Sequence, residues 1–394
     1  MANSIREPLA APSAGLFPKS RVAISLLFLM NGFIIGSWAP KIPDFAAGLG
    51  LNESQLGLMI LVFGVGSLVM MPLTGAQIAR FGSAPVTKAL AIGLTPTLLF
   101  VTLANDVWFG AAAVFLLGGF SGAMDVAMNA NAVEVEKSMR RAIMSSCHAF
   151  WSLGGLFGAG FGGLLIGDYG TLAHAAALTV VAGAMVAIAW PFVLRDAPLA
   201  TGEKQKLRLP KTALPWLIGF VALFSMMPEG AILDWGALYL RQELGASVAQ
   251  SGFAFAAFSL TMAAMRFAGD PIRDRLGAVR TMRVSAVLAF IGILAAGRAP
   301  TAEMVMLGFA IAGLGIANLV PIAFSAAGNL TGLPPGVGIS LVTTLGYSGM
   351  LFAPSLIGFV AEHTGFSAVF TVLPVLLLVV LCLSHIARHA DRIK

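Results

Sequence analysis

Apolar stretches of about twenty residues, separated by short polar breaks, recur from residue 21 almost to the end of the chain. An α-helix rises about 1.5 Å per residue, so such a stretch crosses a hydrocarbon layer about 30 Å thick. The pattern predicts twelve spans, at 21–40, 54–76, 85–104, 107–133, 142–166, 171–193, 213–236, 247–268, 281–298, 302–326, 337–360 and 366–386. Polar residues interrupt the fourth and tenth, the two that a hydropathy window would misjudge. The longest polar stretch between spans, 195–212, falls near the middle and carries Arg195, Lys204, Lys206, Arg208 and Lys211. The expected architecture is therefore an all-α membrane protein of two pseudo-symmetric six-helix bundles, 21–194 and 213–387. Short tails at 1–20 and 388–394 and the 195–212 linker complete it.

The polar breaks also assign sides. With both termini cytoplasmic, all of the 24 basic residues except Lys41, Arg241 and Arg298 fall on the inner side, Arg266 among them. Basic residues gather in inner loops, so the expected setting is a multi-pass protein of the inner (plasma) membrane. The first twenty residues have no apolar core before a cleavage site and read as a tail.

Composition agrees with this. Hydrophobic residues make up 58% and charged residues 11%, at a mean hydropathy of +0.89, too few charges to cover a water-facing surface. The net charge of +6 sits in loops, and no basic stripe interleaves with aromatics, which argues against nucleic acid. Cys147 and Cys382 lie in apolar runs and imply neither disulfide nor metal site. The five histidines are scattered, and there is no phosphate-binding Gly-rich loop ending in Lys-Ser or Lys-Thr. These features disfavour a membrane enzyme, a cofactor and a nucleotide-driven pump. They leave a carrier, expected as a monomer, whose partners are a small solute, protons and the bilayer.

The halves resemble each other. A shift of 195 residues superposes Ser145 on Ser340, Gly154 on Gly349, Gly163 on Gly358 and Gly170 on Gly365, and equally Arg80 on Arg275 and Gly82 on Gly277. Duplicated six-helix units suit alternating access about a central site.

The loop Gly269-Asp270-Pro271-Ile272-Arg273-Asp274-Arg275-Leu276-Gly277 resembles the signature loop of the major facilitator superfamily. The first-half copy, Gly75 to Gly82, has Ala79 in place of an acid. Such a loop implies a conformational latch at the inner helix ends, with Arg80, Asp270, Asp274 and Arg275 as members. Glu134 is the candidate partner for Arg80 or Arg140; simple topogenic charge is the alternative. The stretches around Asp125–Asn131, Ser145–Gly155 and Glu229–Trp235 are similar to the MosC/YbjJ-like branch, which is related to fucose-permease-like sugar:proton symporters.

Polar groups inside the spans supply the site candidates, because each is costly in hydrocarbon. Ser121, Asp125 and Asn129 recur at helical spacing and form one polar stripe. A buried carboxylate is a proton site, a solute ligand or a structural acceptor. The resemblance implies proton coupling at Asp125, since the symporters carry an acid followed four residues on by Asn. Their second acid is missing here, where Trp38-Ala39-Pro40 stands. Asn318 is the candidate repeat mate of Asp125, and Glu229 a binding or coupling acid after Pro228. Asp234 is expected to pair with Arg241 or to gate. His148, with Trp151 nearby, is a proton relay or a satisfied core histidine; Asn31, Trp38 and Tyr347 are candidate cavity residues. The glycines from Gly154 to Gly163 are read as tight packing. The expected function is secondary transport of a small polar solute such as a sugar, cyclitol or amino-cyclitol, with proton-driven efflux as the alternative.

Overall fold

The computed structural model describes residues 17–196, 210–246, 248–333 and 335–391. Most of the expected N-terminal tail (1–16), most of the linker (197–209) and the last three residues lie outside the described residues.

Twelve helical spans are found among the described residues. The first half has α1 (Lys19–Trp38), α2 (Glu53–Phe81), α3 (Ser83–Thr102), α4 (Val107–Met139), α5 (144–169) and α6 (171–189). The second has α7 (Ala213–Glu243), α8 (Val248–Leu276), α9 (Ala278–Gly297), α10 (Ala302–Gly328), α11 (Pro335–Thr364) and α12 (Phe366–Asp391). The fourth and tenth spans are apolar enough to pass as membrane helices. Ten helices among the described residues are long and apolar enough to cross a membrane; α8 is not among these ten, and its second half holds Arg266, Asp270, Arg273, Asp274 and Arg275. Several helices outrun their predicted ends, because the polar last turns of α4 and α7 stay helical beyond the apolar window.

Local chemistry fixes the helix starts. Asn52 and Gln55 form a reciprocal capping box at α2, and Asp106 accepts from the amides of Trp108 and Phe109 at 2.9 Å at α4. The duplication is visible in the turns. Gly82 and Gly277 join α2 to α3 and α8 to α9 at φ 83° and 78°, and Gly170 and Gly365 do the same for α5–α6 and α11–α12 at 81° and 84°. Side chains rarely adopt that backbone, so glycine is demanded at both copies. A second repeated device was not foreseen. Asp196 accepts from the amides of Ser83 and Ala84 at 2.6 and 3.0 Å, and its mate Asp391 accepts from Ala278 N at 2.7 Å. Each half thus uses an aspartate at or just beyond the end of its sixth helical span, at repeat-related positions, to cap its own third helix.

Without a hydrophobic drive between helices in lipid, close backbone approach does the packing. Gly32 and Gly36 on α1 meet the backbone of α5, where Gly154 and Gly158 face α1 in return, leaving no room for a Cβ. Gly292 and Gly308 do the same between α9 and α10. Across the halves, α2 packs on α11 and α5 on α8.

Candidate functional site

Two polar constellations occupy the interface between the halves, one near mid-span and one at the end where α1 begins and α12 finishes.

The mid-span cluster grows from the α4 stripe. Asn129 Nδ2 donates to Asp125 Oδ1 at 3.2 Å, and Asn129 Oδ1 lies 3.1 Å from His148 Nε2 on α5. All of Asp125 but 6% is buried, and its Oδ2 has no hydrogen-bond partner among the described residues. Asn31 on α1 donates to Ser121 O at 3.4 Å and accepts from Trp151 Nε1 at 3.0 Å. The His148 ring packs between Phe28 and Phe324. From the other half, Arg266 on α8 donates to Glu229 on α7 at 3.2 Å and to Ser152 on α5 at 2.8 Å. Tyr347 on α11 lies within electrostatic reach of both Asp125 and Glu229. The structure therefore brings together Asn31, Asp125, Asn129, His148, Trp151, Glu229 and Tyr347. Arg266, assigned from the sequence to the inner loops, is instead buried beside Glu229, where an unpaired charge would be untenable. Trp38 stands apart, its ring against Phe45. Asp234 makes no ion pair with Arg241 among the described residues; it lines a small pocket with Met227, Met350 and Pro354.

The second constellation ties the halves together. Asp270 on α8 accepts from the amides of Ser145 and Ser146 at the start of α5, both at 2.9 Å, so one half caps a helix of the other. Asp274 accepts from Ala142 N at 3.2 Å and lies 3.5 Å from Arg141. Ser145 donates to Asn318 Oδ1 at 2.8 Å, which places Asn318 here and not beside Asp125. Fully buried Glu136 accepts from Arg273 at 3.1 Å, from Ser325 at 2.8 Å, and from the amides of Ile143 and Met144 at 2.9 and 3.1 Å. Glu134 pairs with Lys137 one turn away, not with Arg80 or Arg140. Arg80 lies over the Phe81 ring, and its repeat mate Arg275 is likewise exposed. In the first-half copy the mate of Asp270 is Gly75, which packs directly on Ser340, the mate of Ser145. One side of the interface is closed by charge and the other by contact of small residues.

Sequence reasoning missed Glu136, Arg266, Arg273 and Ser152. Helical periodicity carried a signal for three of them. Continuing the stripe from Asp125 and Asn129 through Ala132 reaches Glu136 and bypasses Glu134; Arg266, Asp270 and Arg273 share one face of α8, and Arg275 does not.

The sequence profile of the Major Facilitator Superfamily matches residues 24–232 and 217–392. An MFS-type transporter of Yersinia pestis is 34% identical over 364 residues, covering 91% of this chain and 94% of its own. Membrane protein MosC of Rhizobium meliloti is 32% identical over 350 residues (87% and 84%), and the fosmidomycin resistance protein of Escherichia coli K12 is 26% identical over 395 (94% and 93%). Among solved structures, the fucose:proton symporter FucP of E. coli superposes with a TM-score of 0.74 at 13% identity, covering 93% of this chain and 98% of that one.

Proposed function

The chain belongs to the Major Facilitator Superfamily, and on that premise we propose that it carries a small polar solute by proton-coupled alternating access. The observation that carries the coupling is Asp125, a buried carboxylate with one oxygen engaged by Asn129 and the other unpartnered among the described residues. A carboxylate so placed can take up and release a proton as the site opens to one side and then the other. Asn31, Trp151 and Tyr347 offer hydrogen-bonding and ring surfaces for a hydroxylated solute, and Glu229 with Arg266 offers charge from the second half. His148, bonded to Asn129, is the neighbour through which a proton would reach Asp125. The end bearing Asp270 and Glu136 is read as cytoplasmic, so the contacts there are read as closing the site on the inner side. Sugars, cyclitols and amino-cyclitols are the solutes to test first.

A second reading, proton-driven efflux, is favoured by the similarity to the fosmidomycin resistance protein. Purified protein in proteoliposomes separates the two. The symport reading expects stabilisation by a polyol, and solute uptake that follows an inward proton gradient and is abolished by Asp125→Asn. Flux indifferent to the gradient and to that variant would overturn coupling at Asp125. Stabilisation by lipophilic drugs alone would replace symport by efflux.

A further inference from the structure

On the lipid-facing side of the first half, α3 and α6 part to leave a groove of about 660 Å³ lined by Ile92, Thr95, Pro96, Gly183, Val186 and Trp190. The lining is a helical stripe at i, i+3, i+4 on α3 and at i, i+3 on α6, with Trp190 in the turn just after α6. Two features open it. A Cβ on Gly183 would meet nothing nearer than Thr95 at 3.9 Å, and α3 breaks at Thr95-Pro96.

The same place in the second half carries bulkier side chains. The 195-residue shift turns Thr95 into Phe290, Pro96 into Ile291, Gly183 into Leu378 and Val186 into Leu381. Lys88, one turn from Ile92, maps to Arg283, which donates to Ser384 at 3.0 Å. Lys88 itself makes no hydrogen bond among the described residues; its Nζ sits 5.0 Å from the centre of the Trp190 ring at the groove mouth. Lys19 lies over Phe192 at 5.1 Å, and Arg195 is within electrostatic reach of Lys88. The acid described nearby, Asp196, has both oxygens engaged in capping α3. The mouth is therefore basic and aromatic, and the interior apolar for about 12 Å along α3 from Lys88 to Pro96.

We infer that this groove is a binding site for one anionic phospholipid, with an acyl chain between α3 and α6 and the phosphate on Lys88, Lys19 and Arg195. Charge complementarity selects the headgroup, since each basic side chain near a membrane surface favours an anionic lipid. The bulkier residues of the second-half copy are the reason a single site is expected.

The test is native mass spectrometry of the full-length protein in detergent, with phosphatidylglycerol or phosphatidylcholine of matched chains added, alongside melting curves. One phosphatidylglycerol should be retained in preference to phosphatidylcholine. Lys88→Gln should weaken retention about fivefold, the weight of one basic residue. Gly183→Leu, which installs the second-half residue, should abolish it, and Thr95→Phe is the alternative filler if that variant folds poorly. Equal retention of the two lipids, or undiminished phosphatidylglycerol in all variants, would reduce the groove to ordinary annular lipid. Stabilisation by glycerol phosphate alone, equal to that by the intact lipid, would overturn the acyl-chain half of the inference.

Discussion

Glu136→Gln should open the closed end of the transporter. Glu136 is fully buried on α4, and Arg273, its partner at 3.1 Å on α8, is 4% exposed, so solvent screens neither charge. Removing one member of a buried ion pair costs about 3–5 kcal/mol, because the other is left uncompensated. Here the lower figure applies. Arg273 keeps Ala390 O at 2.6 Å and Asp391 at 3.9 Å, and glutamine still accepts from the amides of Ile143 and Met144. Because the pair joins the two halves, about 3 kcal/mol comes off the closed arrangement, or about a hundredfold in the opening equilibrium. Cys147 is the built-in reporter: it is fully buried at the start of α5, two residues from the Ser145 amide held by Asp270. With exposed Cys382 replaced by Ser, maleimide labelling of Cys147 should accelerate by up to two orders of magnitude in Glu136→Gln. A lowered melting temperature with Cys147 labelling unchanged would refute the reasoning, and would make Glu136 a support of the fold alone.

Arg266→Gln should lower solute counterflow by about ten- to a hundredfold, the worth of one charge-assisted hydrogen bond, while Arg266→Lys keeps part of the activity; wild-type counterflow in Arg266→Gln would remove the Glu229 pair from the transport cycle. The two repeat-related caps should behave alike. Asp196→Ala and Asp391→Ala each lose about 1 kcal/mol of helix capping and lower the melting temperature, and a silent Asp391→Ala beside a destabilised Asp196→Ala would break the equivalence.

Periodicity and spacing in the sequence carried much of this, for identifiable reasons. Hydrocarbon admits no backbone group without an internal partner, so twenty-residue apolar runs have to be helices. Gly170 and Gly365 were legible as repeat mates because only glycine takes their positive φ cheaply. The Asp125 and Asn129 stripe was legible because helical spacing puts both on one face.

The misreadings share a cause. Arg266 was counted as a topogenic charge because the sequence gives its position along α8 but not the neighbour facing it. Glu134 is the expected partner of Arg80 or Arg140 by its place at the helix end, yet it pairs with Lys137, and Glu136 makes the ion pair across the halves because its face of α4 meets Arg273. Asn318 was paired with Asp125 by the repeat shift, yet α10 turns irregular at that residue and delivers it to Ser145.

The sequence by itself determined a two-fold-repeated membrane bundle, its helix count and the acid at its centre, since these follow from hydropathy, periodicity and glycine backbone freedom along a single chain. Tertiary structure alone decided which charges pair across the halves, that one side of the interface is held by Asp270 and its repeat copy by bare packing at Gly75, and that a groove opens beside Gly183. Those outcomes depend on which faces of separate helices meet, and that is set by close packing between segments far apart in the chain.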